Sequence, residues 1–211
     1  MQIFWLDPKH YGGKHLVKMP LEAGQCGYCV WHNLYGKDGD WCRLDADNPP
    51  PEAGKRALKG LGGMGQSHKH HPVVKWMQQS GANYLKAIEF AFDILQVYRL
   101  QYGRRNKAPP KMLAHLEWLY NNVPPALRLT TDESYLTVPP CLAGKDKTFQ
   151  PETWDELYKG YRDLYASDAK RHIAIDLGKM PTREEFVSID GITYDEFMSF
   201  RQVAPWIKTD A

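Results

Sequence analysis

Apolar side chains recur at helical spacing over long windows of this chain, and that periodicity constrains the fold more than any other feature. Between residues 14 and 34 they fall at Leu16, Met19, Ala23, Cys26 and Val30, steps of three and four that share one side of a helix. Pro20 lies inside this window and predicts either a kink or the true helix start. Residues 72–79 and 82–102 predict two further helices, entered at His71-Pro72 and divided by Ser80-Gly81. In the second of these, Tyr84, Ile88, Ala91, Leu95 and Tyr98 make a broad apolar face. A helix over 111–120 follows Pro109-Pro110, and 152–173 reads as a long helix with Trp154, Leu157, Tyr161, Leu164 and Tyr165 inward. The opening residues 1–6 are a short strand or an extended segment.

The intervals between these windows read differently. Residues 36–66, rich in Gly, Pro and charge, predict a long irregular loop, and 130–150 read as extended and irregular around Pro139-Pro140-Cys141. Thr182-x-x-Glu185 and Thr193-x-x-Glu196 are capping-box patterns, each expected to open a short helix. The fold expected is mainly α: a single helical domain over 1–175 with a long irregular loop at 36–66, then a small C-terminal helical appendage over 176–211.

Composition removes several classes. At 43% hydrophobic over 211 residues the chain is too apolar for disorder and long enough to bury a core. Lys and Arg number 27 against 25 Asp and Glu, so the net charge of +2 excludes an acidic tail protein or a histone-like polycation. A local basic face remains open. No apolar run approaches the ~18 residues of a membrane helix, and the first residues lack the basic start and small-residue cleavage site of a signal peptide. The four cysteines show no regular framework. The expectation is a soluble, cytoplasmic protein with no membrane partner.

Candidate chemistry gathers first at His15, Lys18, Glu22 and Gln25, at steps of three, four and three, which one helix would present together. A carboxylate between cations has its charge stabilised and suits a general base or electrostatic stabiliser, while a solvated helix face is the plain alternative. Further on, His68, His70 and His71 precede Lys75 and Trp76. Neighbouring histidines rarely converge on one ion, so His71 is expected to cap or enter the helix, with Lys75 and Trp76 lining a groove suited to nucleic-acid backbone and bases. Cys26-x-x-Cys29 with His32 and Cys42 is a conceivable zinc set. The pair lies inside a predicted helix with no second CxxC, so small core cysteines are expected and no metal site is assigned. Arg104 and Arg105 follow a helix end, where cations suit both the helix dipole and phosphate. Lys159, Arg162, Lys170 and Arg171 form a further basic set. P-loop, GxSxG and HExxH motifs are missing, and the GxGxxG spacing at Gly60–Gly65 lies inside the predicted 36–66 loop, so kinase, dinucleotide-dependent and common hydrolase readings lack support and no cofactor is expected.

The first 25 residues resemble the start of the phage-type pyrimidine-dimer DNA glycosylases of the endonuclease V type, which also act as abasic-site lyases. In both, a short apolar segment leads to a helix bearing His-Leu, here His15-Leu16, and a Glu seven residues after the His, here Glu22. A broader set, KHLVKM-x-LE-x-x-Q, HPVVKW, Asn83-Tyr84, Tyr102-Gly103, TVPPC and YRDLY, looks like a phage-borne, glycosylase-like family over most of residues 1–172. The resemblance implies a mainly helical fold, DNA as partner, and a mechanism. The α-amine of Met1 attacks the sugar C1′ of a damaged or modified pyrimidine nucleotide, the base leaves, a Schiff base forms, and Glu22 assists, with His15 beside it. Gln2 favours retention of Met1, and an α-amine of pKa ~7.7–8.0 keeps an appreciable neutral fraction at neutral pH. The family's arginines beside the catalytic Glu are Leu21 and Gln25 here, so its DNA contacts do not transfer. Lys18, Gln25, His71, Lys75, Arg104 and Arg105 become the DNA-contact candidates, with Trp5, Trp76 and the histidine-rich loop available to wall a pocket for an extruded base. Two alternatives stand beside this: a base-modifying transferase with a co-substrate at Glu22, His15 and His71, and a non-catalytic phage binding protein or inhibitor.

Overall fold

The computed structural model describes residues 5–36, 39–43, 47–52, 62–67, 69–103, 111–140, 151–166, 175 and 179–202. Its first long element, α1 (Gly13–Tyr35), runs straight through Pro20, so the proline is interior to the helix and not its start. One N–H is lost from the ladder there, and the carbonyl of Leu16 forgoes its helical partner. The predicted stripe is buried, but so are Tyr28, Cys29, Trp31 and His32. The burial is wider than one stripe because α2 (Pro72–Met77), α3 (Gly81–Tyr102) and α4 (Lys111–Asn121) all pack on α1. Close approach needs a small residue at Gly27, where a Cβ would sit 2.9 Å from Leu119 Cδ1 and 3.2 Å from Ile88 Cδ1.

Ser80 caps α3, its Oγ accepting from the Asn83 N–H at 3.1 Å and donating to the Tyr135 carbonyl at 2.9 Å. Asn83 is fully buried and clips three segments together. Its Nδ2 donates to the Trp76 carbonyl at 3.0 Å and to Thr137 Oγ1 at 2.9 Å, and its Oδ1 accepts from the Thr137 N–H at 2.9 Å. The stretch expected to be extended from 130 instead begins at the end of a 3-10 turn, Pro125–Thr130, and holds another at Glu133–Tyr135, with 136–140 irregular and 141–150 outside the described residues. Side-chain bonds such as that from the Gly81 N–H to Thr130 Oγ1 at 2.9 Å fix this turn, and no apolar periodicity announces them.

Within the predicted 36–66 loop, the described pieces carry a 3-10 turn at Asp40–Arg43 and one bridge between Glu52 and Gly63. Trp41 anchors it by packing on Trp31, Tyr28 and Trp118. Gly62, at φ +75°, is required there because a Cβ would lie 1.9 Å from the Pro50 carbonyl oxygen. Helix α5 (Trp154–Ala166) buries Leu157, Tyr161 and Tyr165, and Trp154 and Leu164 pack half-buried against the same core. Its expected continuation towards 173 lies outside the described residues.

At the C-terminal end, Thr193 and Glu196 form a reciprocal capping box that opens α6 (Tyr194–Gln202). The other box behaves differently. Thr182 N–H donates to Glu185 Oε2 at 3.1 Å, but residues 183–185 close only a turn. A cap alone cannot offset the cost of nucleating a helix, and Phe186, next in the chain, packs on Tyr194 and Phe197. Helix α6 is tied into the body by Arg201, which is fully buried. Its guanidinium donates to the Lys9 and Tyr11 carbonyls at 2.7 and 2.9 Å and to Gln101 Oε1 at 2.8 Å. Burial pushes the Arg201 pKa down to about 10. The architecture is mainly helical, with no strand among the described residues, and no helix among them is long and apolar enough to cross a membrane.

Candidate functional site

The four polar residues singled out on α1 do lie on one arc of the helix, but the core boundary divides them. At about 100° per residue, His15 and Glu22 fall within about 20° of each other, while Lys18 and Gln25 lie towards the solvent side. The inner pair is buried, His15 at 8% exposure and Glu22 at 7%, whereas the Lys18 side chain is 64% exposed. Gln25 is half-buried.

Glu22 meets Lys18 one turn back, with Nζ 2.9 Å from Oε1. Its carboxylate also acts on the next turn: burial pushes the Cys26 thiol well up, and the charges of Cys29 and Glu22 add to that. A thiol so raised is a poor nucleophile. His15 is held from a remote part of the chain, its Nδ1 hydrogen-bonded to the Tyr165 hydroxyl of α5. The Tyr165 ring meets the imidazole edge-on at 5.4 Å between centroids, and Tyr11 closes the same cluster from the N-terminal segment. Burial raises the Tyr165 phenol far above its ordinary value, so it stays protonated and available to His15.

Around α2, His71 accepts the Val73 N–H on Nδ1 at 3.3 Å and so caps the helix, which leaves Nε2 as its protonated nitrogen. Lys75 is exposed one turn on. Trp76 departs from the groove-lining role expected of it. It is 3% exposed, its indole N–H donates to Thr137 Oγ1 at 3.0 Å, and its ring packs edge-on against Trp5 at 5.5 Å. Trp5 is likewise a core residue, fully buried among Trp76, Phe90 and Trp154, so neither indole is open to wall a base pocket. An amphipathic pattern places such a residue near a surface; the segment at Thr137 and the N-terminal strand of chain that cover Trp76 are invisible to it.

The described cysteines are core residues, and Cys141 lies outside the described residues. Cys26, Cys29 and Cys42 are unbridged and buried, and Cys29 is hydrogen-bonded to the backbone of Ser67. His32 is satisfied by structure, its Nε2 donating to the Met64 carbonyl at 2.8 Å and its Nδ1 accepting from Trp41 Nε1 at 3.4 Å. Among the described residues no group of three or more His, Cys, Asp or Glu is arranged to hold a metal ion.

Met1, His68, Arg104, Arg105, Lys170 and Arg171 lie outside the described residues. The point from which the chain enters 104–110 is described: a Cβ on Gly13 would sit 3.0 Å from the Tyr102 hydroxyl, so the end of α3 abuts the first turn of α1. That turn has no side-chain cap and carries the exposed Lys14, followed by exposed Val17 and Lys18. Lys159 pairs with Asp163 at 2.8 Å, whereas Arg162 faces a cleft that the sequence did not single out. The chain matches no protein-family model, and no curated protein or solved structure is significantly similar to it.

Proposed function

We propose that the protein is a DNA glycosylase with abasic-site lyase activity on a damaged or modified pyrimidine, with the α-amine of Met1 as nucleophile and Glu22 as the acid/base. The observation that carries this reading is the buried carboxylate of Glu22 on the solvent-side margin of α1, held by Lys18 at 2.9 Å. Glutamates are almost never this buried without a partner or a task.

In the reaction, a bond forms between the amine nitrogen and C1′ as the base–sugar bond breaks. Its electron pair leaves with the base, which takes up a proton. Loss of the amine proton and opening of the sugar ring give the imine, and Glu22 serves as the local carrier of those protons. His15, fixed by Tyr165, lines the inner edge of the same arc. Lys18, Gln25, His71 and Lys75 are the candidate DNA contacts among the described residues, and the uncapped first turn of α1 with Lys14 adds a cationic margin.

Borohydride trapping with untagged protein tests this on duplexes carrying an abasic site, a pyrimidine dimer or hydroxymethylated pyrimidines. The expected result is a covalent adduct mapping to Met1, lost on N-terminal extension and reduced at least about tenfold in the folded Glu22→Gln variant. Absence of any adduct from folded protein with a free N-terminus overturns the amine mechanism.

A further inference from the structure

A cleft of about 470 Å³ opens between α3, α5 and the N-terminal turn at Pro8–His10. Its construction is regular. Helix α3 contributes Lys86, Phe90 and Asp93, and α5 contributes Asp155, Tyr158 and Arg162, each set at helical spacing along one face. Each wall therefore reads as a charge, an aromatic ring and the opposite charge, over about 10 Å of helix. Buried Leu6 and Phe90 form an apolar floor, and Asp7 adds a carboxylate from the turn.

What sets this cleft apart from a solvated surface is that its charges face one another without pairing. Lys86, Asp93, Asp155 and Arg162 make no hydrogen bond and no ion pair among the described residues. Their fields nonetheless overlap. Burial raises the Asp93 carboxyl, against Lys86 and with help from Asp7, and burial followed by the charges of Asp155 and Asp7 raises the Tyr158 phenol. Asp93, Asp155 and Arg162 are exposed at the rim of the cleft, and Lys86 is half-buried. Here they border a cavity within the range of small-molecule sites, with an apolar floor and a few convergent polar groups.

We propose that this cleft is a binding site for a small zwitterion of dipeptide size with an aromatic or apolar middle. The ligand ammonium lies among the carboxylates of Asp93, Asp155 and Asp7, the ligand carboxylate meets Arg162 or Lys86, and its side chain rests on Phe90 and Tyr158. A dipeptide spans about 7 Å, and the long arms of Lys86 and Arg162 cover the remaining distance. Neither charge alone satisfies the cleft, because each wall carries both signs. The inference stands on residues separate from Glu22 and does not rest on the lyase reading.

The test is calorimetric titration of the full-length protein with glycyl-L-phenylalanine, with its N-acetyl derivative, which lacks the ammonium, and with its C-terminal amide, which lacks the carboxylate. The dipeptide should bind saturably, and each single-charge derivative should bind about tenfold or more weakly by comparison, the loss expected for one charge-assisted contact. Asp93→Asn should weaken the dipeptide and the amide while leaving the N-acetyl form unchanged. Arg162→Gln should weaken the dipeptide and the N-acetyl form while leaving the amide unchanged. Both positions are exposed, and circular dichroism confirms that each variant is folded. No saturable binding of the dipeptide, equal binding of all three probes, or binding indifferent to both variants would each overturn the proposal.

Discussion

Removal of the Asn83 side chain tests whether the packing of α2 depends on one buried amide. Asn83→Ala deletes three bonds of 2.9–3.0 Å, two donated by Nδ2 and one accepted by Oδ1, and a longer one of 3.3 Å that Oδ1 accepts from Thr137 Oγ1. At about 1 kcal/mol net for each of the three shorter bonds, the gross loss is about 3 kcal/mol. Part of it is recovered: the Trp76 carbonyl keeps the Gln79 N–H at 3.1 Å, and Thr137 is exposed and can turn to water. The expected destabilisation is therefore about 2–3 kcal/mol, including the small cavity left at a fully buried site. Asn83→Asp separates hydrogen bonding from size. The ionised carboxylate can accept from the Thr137 N–H but cannot donate to the Trp76 carbonyl, and it places a charge where Asn83 is wholly buried. At pH 7 this should cost about 3–5 kcal/mol, more than alanine does. The sign with pH follows from linkage. The introduced acid has a higher pKa folded than unfolded, so its penalty shrinks as pH falls towards the unfolded value of ~3.9, where the protonated acid donates again. Urea unfolding followed by tryptophan fluorescence at pH 7 and at about pH 5 measures both. An alanine cost below about 1 kcal/mol, or an aspartate variant no worse than alanine at pH 7, would refute this account of the clip. Since α2 carries His71 and Lys75, loosening it should also weaken any DNA contact made there.

Two further outcomes follow from geometry. Gly81→Ala should destabilise the fold by more than about 2 kcal/mol, because the new Cβ would lie 2.4 Å from the Leu127 carbonyl oxygen and 2.6 Å from Thr131 Cγ2; a midpoint shift worth less than about 0.5 kcal/mol would show that the 125–131 turn moves freely. His115, 3% exposed with Nδ1 2.9 Å from the Tyr28 hydroxyl, has its pKa lowered by burial, against a smaller opposing contribution from the Glu52 backbone. The unfolded chain then binds more protons below about pH 6.5, so thermal stability should fall as pH drops through that value, and His115→Gln should flatten the slope.

How far this fold was legible depends on how local its causes are. The stripe Leu16, Met19, Ala23, Cys26 and Val30 is buried on α1, and the face Tyr84, Ile88, Ala91 and Leu95 is buried on α3. A helix brings i, i+3 and i+4 together whatever surrounds it. The cap at His71 and the box at Thr193–Glu196 were legible for the same reason: donor and acceptor lie within four residues. The box at Thr182 shows the limit, since its bond forms while the helix does not.

The candidate site was legible as residue types and not as environment. Spacing placed His15, Lys18, Glu22 and Gln25 on one arc, but only packing put the core boundary through the middle of it. Trp5 and Trp76 looked available for a ligand and are core, and the Lys86–Asp93 and Asp155–Arg162 faces, of which the sequence singled out Arg162 alone, border a cleft. Helical periodicity and the local caps were written in the sequence because they are settled between residues a few positions apart. Tertiary structure alone decided that Tyr165 holds His15 across 150 residues and that Arg201 reaches Lys9 across 192. Such pairings depend on which surfaces meet when the whole chain closes, and no short window of sequence carries that information.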